Sequence, residues 1–594
     1  MGEPIRIANC SGFFGDRISG AAEMVNDGPI DVLTGDWLAE LTMLILSRIK
    51  AKRPGAGFAG TFVTQMEQVM GTCLDEGIKV VSNAGGLDPD GCAEAVQKVA
   101  ERLGLHPTIA YVNGDDLLDR VGELAASGAL TRFDDGNHAT LGLGDVSRYV
   151  SANAYLGCWG IVEALTSGAD IVITGRVTDA AVVCGPAAWH HGWARNDFDQ
   201  LAGAVVAGHL IECSGQVTGG NYSFFTEVPG MDRLGFPWVE VASDGSSVIG
   251  KHDGTGGEVS IGTVTSQLLY EIGGPRYYGP DVTARFDSLH LDQIGLNRVR
   301  VSGVIGEPPP PTLKVAMNTV GGYRNQVSIA LTGLDIEAKA DVVQAAMWRA
   351  CPFQPGDYDS VTTRLIRSDH ADPLTNETAT AELRITVKDA DEHKVGRAFT
   401  NAMVESALCN IPGMYALSGA PGIGGAYGVY VPASVPAELV PQFVCMRGAT
   451  LRVDSVAPIN QPVDDATYGF LASIGGAELP FTGPTRRAPL GALIGARSGD
   501  KGGNANVGVF ARSEAAHAWL SGFLTVEQFK TLLPETADMP VDRFDFPNVS
   551  ALNFVVRGLL DEGVAASTRV DGQAKSLGEW LRARHVDIPE HLLP

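Results

Sequence analysis

Arg176 and Asp179 stand three residues apart in Ile171–Cys184 (IVITGRVTDAAVVC), where an apolar run breaks into Thr174-Gly175-Arg176 and a helix is expected to open at Thr178-Asp179. A guanidinium can hold a carboxylate or phosphate through two parallel hydrogen bonds, and a nearby carboxylate can take or give a proton. Four earlier apolar runs break in the same way, at Cys10-Ser11-Gly12, Thr34-Gly35-Asp36, Ser82-Asn83-Ala84-Gly85-Gly86 and Val112-Asn113-Gly114. These turns and the residues beside them supply Asp16, Arg17, Asp36, Asn83, Arg176 and Asp179. The set suits acid/base work on a carbonyl or carboxylate substrate, with Asp16, Asp36 or Asp179 moving the proton and Arg17, Asn83 and Arg176 binding. Capping of a helix N-terminus is the plain alternative for Asp36, Asp88 and Asp179.

Two further clusters could do chemistry. His252-Asp253-Gly254-Thr255-Gly256-Gly257 could aim an imidazole and several N–H donors at one reacting oxygen, although a hairpin turn accounts for the glycines equally well. Asp500-Lys501-Gly502-Gly503-Asn504-Ala505-Asn506 reads as a polar loop in which Asp500, Lys501, Asn504 and Asn506 recognise an anion or close over another domain's site. No metal site is expected: His190 and His191 are adjacent, and neither H-E-x-x-H nor a calcium-loop pattern occurs. Gly12, Gly15 and Gly20 fit neither the dinucleotide nor the P-loop spacing, and no G-x-S-x-G elbow is present, so no nucleotide cofactor or serine nucleophile is expected. Cys10 ends the first apolar run and is either a packed thiol or a reactive one.

The elements that must position these groups alternate. Strands are predicted at Ile5–Ala8, Asp31–Leu33, Lys79–Ser82, Thr108–Val112 and Ile171–Thr174. Between them helices are predicted at Ala21–Asn26, Trp37–Ile49, Phe62–Glu76, from Asp88 to Leu103, from Asp115-Asp116, and over Asn153–Ser167. Alternation with short connections predicts an α/β fold with a doubly wound, mainly parallel sheet in residues 1–225, whose ligands sit beyond the carboxyl ends of the strands. Short strands at Trp238–Ala242, Val248–Gly250 and Val259–Val264 open an α+β region over 226–480, which includes the Gly-rich stretch Gly419–Gly428. The connector Leu479–Pro489 precedes a small α+β domain at 488–594, in which Leu490–Gly495 and Val507–Phe510 read as strands flanking the polar loop Arg497–Asn506.

The totals exclude several classes. With 594 residues, 45% hydrophobic and 19% charged, the chain builds more than one core and leaves little room for disorder. A net charge of −25 argues against nucleic acid and against anionic lipid. The apolar runs are too short to span a membrane and Met1–Asn9 does not read as a secretory leader, so a cytoplasmic protein is expected. Nine scattered cysteines with no C-x-x-C pair predict reduced core thiols. The Gly-rich, apolar composition makes a homo-oligomer a reasonable expectation.

IRIANCSGFFGDR, LTGDWLAELTM, VSNAGGLDP, ITGRVTDAA, HDGTGGEVSIGTVTSQLLYEIG and ARSGDKGGNAN together resemble the acyclic terpene utilisation AtuA family over nearly the whole chain, including a fused small C-terminal domain. The resemblance implies a place in the breakdown of citronellol- and geraniol-type terpenoids, whose intermediates are branched acyl-CoA thioesters. It brings no assigned catalytic residues. The expectation is a catabolic enzyme acting on a branched or hydroxylated acyl-CoA by hydration/dehydration or carbon–carbon lyase chemistry, without a redox cofactor. The alternative is a non-catalytic acyl-CoA-binding or scaffold subunit.

Overall fold

A computed structural model describes residues 2–133, 142–417, 422–455 and 483–593. Parts of two predicted segments, Gly419–Gly428 and Leu479–Pro489, lie outside them. The chain is mixed α/β and divides into two units, one of Met1–Asn318, Tyr430–Val564 and Gln573–Pro594, the other of Thr319–Val429 and Ala565–Gly572.

The first unit is built on five parallel strands, β1 (Ile5–Asn9), β2 (Val32–Gly35), β3 (Lys79–Ser82), β4 (Ile109–Asn113) and β5 (Ile171–Thr174), in the order β1-β2-β3-β5-β4. Because all five run the same way, their carboxyl ends line one edge. Alternate residues face opposite sides of a sheet. Ala8, Leu33, Val80 and Ile173 join an apolar cluster with the helices Gly20–Asn26, Glu40–Lys52, Gly60–Glu76 and Pro89–Leu103. Ile7, Val32, Val81 and Val172, one place out of step, are fully buried as well, so both faces of the parallel core are covered.

The sheet is wider than the sequence implies. Pro237–Val241 pairs antiparallel with β1 and is followed outward by Ser247–Lys251, Arg298–Ser302 and His290–Gly295, while Gln442–Met446 and Ala449–Val453 extend the other side beyond β4. Strands read as the start of a separate region therefore complete one eleven-stranded sheet, with five parallel members at its centre. Spacing reveals a strand but not its partner.

Three local readings are corrected. Asn153–Ser167 is not one helix: Tyr149–Ala154 is a strand and the helix begins at Trp159. Val259–Val264, β-branched enough to read as a strand, contains the start of the helix Ile261–Leu268, because the Ser260 hydroxyl accepts the Thr263 N–H and Thr263 returns the bond to the Ser260 N–H. Arg497–Asn506 is not a loop but a hairpin of Ile494–Lys501 and Asn504–Ala511, with Lys501 opposite Asn504 and only Gly502-Gly503 turning between them. Gly502 takes φ +63°, which suits a two-residue turn.

That hairpin belongs to a four-stranded antiparallel sheet with Ala551–Val556 and Val541–Phe546, packed against the helices Glu514–Phe523 and Leu577–Ala583 around its own apolar core. The second unit carries an antiparallel sheet in which Tyr323–Thr332 pairs with Thr380–Asp389 and that strand with Ser360–Ile366. Its core uses Ile329, Leu383, Ile385 and Val387 against Val343, Met347 and Phe399 of the helices Ile336–Ala350 and Arg397–Glu405. No helix among the described residues is long and apolar enough to cross a membrane.

Candidate functional site

All the groups considered below belong to the first unit. At the ends of β2, β3 and β5, Asp36, Asn83, Arg176 and Asp179 come together. The Asn83 amide donates to Asp36, whose carboxylate also accepts the Leu38 N–H at 3.0 Å. Arg176 is 3% exposed; its Nη1 donates to the Leu38 carbonyl at 3.0 Å and lies 2.9 Å from Asp179 Oδ1. Neither Asp36 nor Asp179 caps a helix, since the following helices start after Ala39 and Ala180. Asp88 does cap, accepting the Gly91 N–H at 3.2 Å. Burial pushes the Asp36 carboxyl well above the carboxylate range and the charge of Asp179 adds to this, against the pull of Arg176 and Asn83.

Around this group stand residues that the sequence did not mark. The Arg176 guanidinium lies over the Tyr155 ring at 4.1 Å and the Lys314 ammonium is 4.6 Å from the same ring. Tyr155 Oη donates to Glu40 at 2.7 Å and Lys314 donates to the same oxygen at 3.1 Å. Although burial opposes it, these partners and Arg176 hold the Glu40 carboxyl far below its usual range, so it is ionised. Glu40 opens the helix Glu40–Lys52, where the helix dipole also favours an anion. The side chains of Glu40, Lys314 and Asp179 are 32%, 38% and 29% exposed, so solvent reaches charged groups that rest on the buried Arg176.

The third side comes from the C-terminal hairpin. Lys501 is exposed, donates to the Glu271 carbonyl at 2.9 Å and lies 5.7 Å from the Tyr277 ring. Partial loss of water around its ammonium and the charge of Lys314 pull it below the usual lysine range, while Glu271, Glu40 and Asp179 act the other way. Asp500 is pushed up to about 7 by burial and by Glu271, against Lys575 3.5 Å away. Asn504 and Asn506 have a different setting from the open one expected of them. Asn506 donates to the Leu269 carbonyl at 2.7 Å and to Asn553 at 3.0 Å, and it accepts the Glu271 N–H at 3.0 Å. Asn504 accepts the Gly558 N–H at 2.8 Å. The two asparagines and Asn553, which donates to Ile272 and Gly273, brace the hairpin and hold the segment 269–273 against it. This contact sets Lys501 beside Glu271.

Asp16, Arg17 and His252 do not join the cluster. Asp16 accepts the Gly12 N–H at 2.9 Å and closes its own loop. Arg17 is engaged by Glu23 at 2.6 Å and by the Leu234 carbonyl at 2.7 Å. His252 Nε2 lies 3.1 Å from the Met24 carbonyl, with Asp27 and Arg6 for company. Cys10 is buried, and burial pushes its thiol far above the usual range, which leaves it a packed rather than a nucleophilic group.

Behind Arg176, its backbone N–H donates to Asp115 at 2.9 Å, and the same carboxylate oxygen accepts from Asn153 at 2.8 Å. Burial pushes Asp115 up to about 7, against both hydrogen bonds. A carboxyl that binds its proton more tightly in the folded state than at the unfolded value of 3.8 favours folding at low pH, and that contribution is lost as pH rises toward 7. Asp115→Asn keeps an acceptor for both donors and removes the ionisation. Its stability in denaturant should exceed that of the parent at pH 8, on the order of 4 kcal/mol, with the gap narrowing as pH falls and closing below about pH 4. Parallel pH profiles for the two proteins would refute this account.

Residues 5–446 match the model of the acyclic terpene utilisation family protein AtuA, and residues 488–587 match the AtuA ferredoxin-like domain. No curated protein and no solved structure matches the chain.

Proposed function

The chain belongs to the acyclic terpene utilisation AtuA family, and we propose that it is a catabolic enzyme that adds or removes water on a branched or hydroxylated acyl-CoA, at the cluster around Arg176. One observation carries the reading: three cations, Arg176, Lys314 and Lys501, stand among carboxylates that solvent reaches. Cations in that setting suit an anionic substrate and the charge that develops on a thioester oxygen. In the dehydration direction Asp179 takes the proton from the carbon beside the thioester carbonyl. The electron pair left on carbon forms the double bond, and the hydroxyl on the next carbon departs as water after gaining a proton. Hydration is the reverse, and neither direction needs a redox partner. Carbon–carbon cleavage would instead require a carboxylate to take the hydroxyl proton.

The test is a panel of branched enoyl- and hydroxyacyl-CoA thioesters incubated with the full chain and followed by mass spectrometry. Gain or loss of one water on at least one member, abolished in Asp179→Asn, is expected. Fragmentation of a hydroxyacyl-CoA would move the assignment to a carbon–carbon lyase. Binding with no mass change across the panel would replace the enzyme reading with that of an acyl-CoA-binding or scaffold subunit.

A further inference from the structure

The two oxygens of the Asp36 carboxyl are not equivalent. Asn83 accepts the Trp37 N–H on its side-chain carbonyl at 2.8 Å, which turns its amide toward Asp36, and that amide donates to Oδ1. The Leu38 N–H donates to the same Oδ1 at 3.0 Å. Oδ2 has no hydrogen-bond partner among the described residues, and although Asp36 is only 6% exposed, this oxygen is not sealed from solvent. A neutral carboxyl that accepts two bonds on one oxygen carries its hydrogen on the other.

Backbone bonds fix where that hydrogen stands. The Asp36 N–H donates to the Ser11 carbonyl at 2.9 Å, which ties the end of β2 to the turn after β1. Leu38 is used on both sides: its N–H meets Asp36, and its carbonyl accepts Arg176 Nη1 at 3.0 Å. The same Nη1 lies 2.9 Å from Asp179 Oδ1. Two carboxyls are thus held around one guanidinium, Asp179 by contact and Asp36 through Leu38. Their settings differ, since Asp179 is 29% exposed and paired with the cation, whereas Asp36 is buried on two neutral donors. Burial and the charge of Asp179 push Asp36 well above the carboxylate range, against Arg176, Asn83 and Leu38, and Asp179 and Arg176 are the charged groups that face it. One carboxyl kept neutral beside an ionised neighbour provides an acid and a base in one site.

We infer that Asp36 is the acid that protonates the departing hydroxyl, from Oδ2, while Asp179 takes the proton from carbon. The assignment rests on the dehydration reading above. In the step, the Asp36 O–H bond breaks, its proton joins the hydroxyl oxygen, and the carbon–oxygen bond breaks with its electrons leaving on water. The chain is left with a proton on Asp179 and none on Asp36. Loss of the first to solvent and uptake of another by Asp36 restore the starting state. In hydration the Asp36 carboxylate takes a proton from the attacking water.

A change of leaving group separates the acid from the rest of the reaction. Asp36→Asn keeps an acceptor for Asn83 and Leu38 but has no acidic proton to give. On a hydroxyacyl-CoA from the panel, with the full chain, it should lower kcat by about a hundredfold or more. On the analogue with chlorine in place of the hydroxyl, where chloride departs with its electron pair and needs no proton, it should stay within about threefold of the parent. Asp179→Asn should lose both reactions. Infrared difference spectra of the parent against Asp36→Asn at pH 7 should show a protonated carboxyl band that the variant lacks. Asp36→Ser serves as second variant should the asparagine form fail to fold. Full kcat of either Asp36 variant on the hydroxyacyl-CoA, equal losses on the two leaving groups, or an ionised Asp36 at pH 7 would overturn the inference and leave the dehydration reading standing. A parent that neither adds nor removes water on any member of the panel would remove that reading, and the acid with it.

Discussion

Arg176→Met is expected to abolish turnover, by a factor of a thousand or more, and to destabilise the fold by about 3–5 kcal/mol, the usual cost of removing one partner from a buried ion pair. The guanidinium lies 2.9 Å from Asp179, donates to Leu38 and covers the Tyr155 ring. Its charge also opposes the rise in the Asp36 pKa and helps keep Glu40 ionised. Methionine fills similar volume but leaves these carboxylates facing one another. Arg176→Lys should fall between the two, because it keeps the charge and loses the planar fork that reaches Leu38 and stacks on Tyr155. Denaturant unfolding and turnover of a thioester from the panel measure both effects. A methionine variant with parental stability and rate would remove Arg176 from the centre of the site.

The second large effect is expected one residue earlier. A Cβ at Gly175 would stand 2.3 Å from Asp115 Oδ1, a distance no carbon and oxygen tolerate. Asp115 cannot swing away freely, since it is buried and accepts from both the Arg176 N–H and Asn153. Gly175→Ala must therefore shift β5 or expel the carboxylate, and either moves Arg176. Overpacking of this kind costs about 1–3 kcal/mol, and the loss of two hydrogen bonds to a buried carboxyl adds to it. The variant should melt well below the parent and lose turnover to nearly the same degree as Arg176→Met. Gly175→Ala with Asp115→Gly, which restores the space, should recover part of the stability and none of the positioning. Equal melting of Gly175→Ala and the parent would contradict the close approach.

The strand ends were legible because an apolar run that stops at a glycine or a short polar residue is a local event. β3 falls on Lys79–Ser82 as expected, and Arg176, Asp179, Asp36 and Asn83 converge because parallel strands deliver their ends to one edge. Asp16, Arg17 and His252 share the same local signature but are consumed by neighbours in the chain or by a carbonyl elsewhere. Nothing in a turn tells which of these fates it meets.

Lys314 and Tyr155 were illegible for a different reason. Each reads as an ordinary residue in a strand or loop, and their significance comes from Glu40, more than a hundred residues away in both cases. Asn504 and Asn506 show the opposite error: a dense run of polar side chains suggested a ligand, and the groups they hold are backbone atoms of the chain itself.

That bracing has a consequence for how the protein is made. Glu271 reaches its place through Asn506, 235 residues later in the sequence, and Lys501 comes with it. The parallel strands, the last of which ends at Thr174, are synthesised long before the residues that complete the charged cluster emerge from the exit tunnel. Chains released early would carry Arg176 and Asp179 without Lys501, so the cluster comes into being only when synthesis has passed the hairpin.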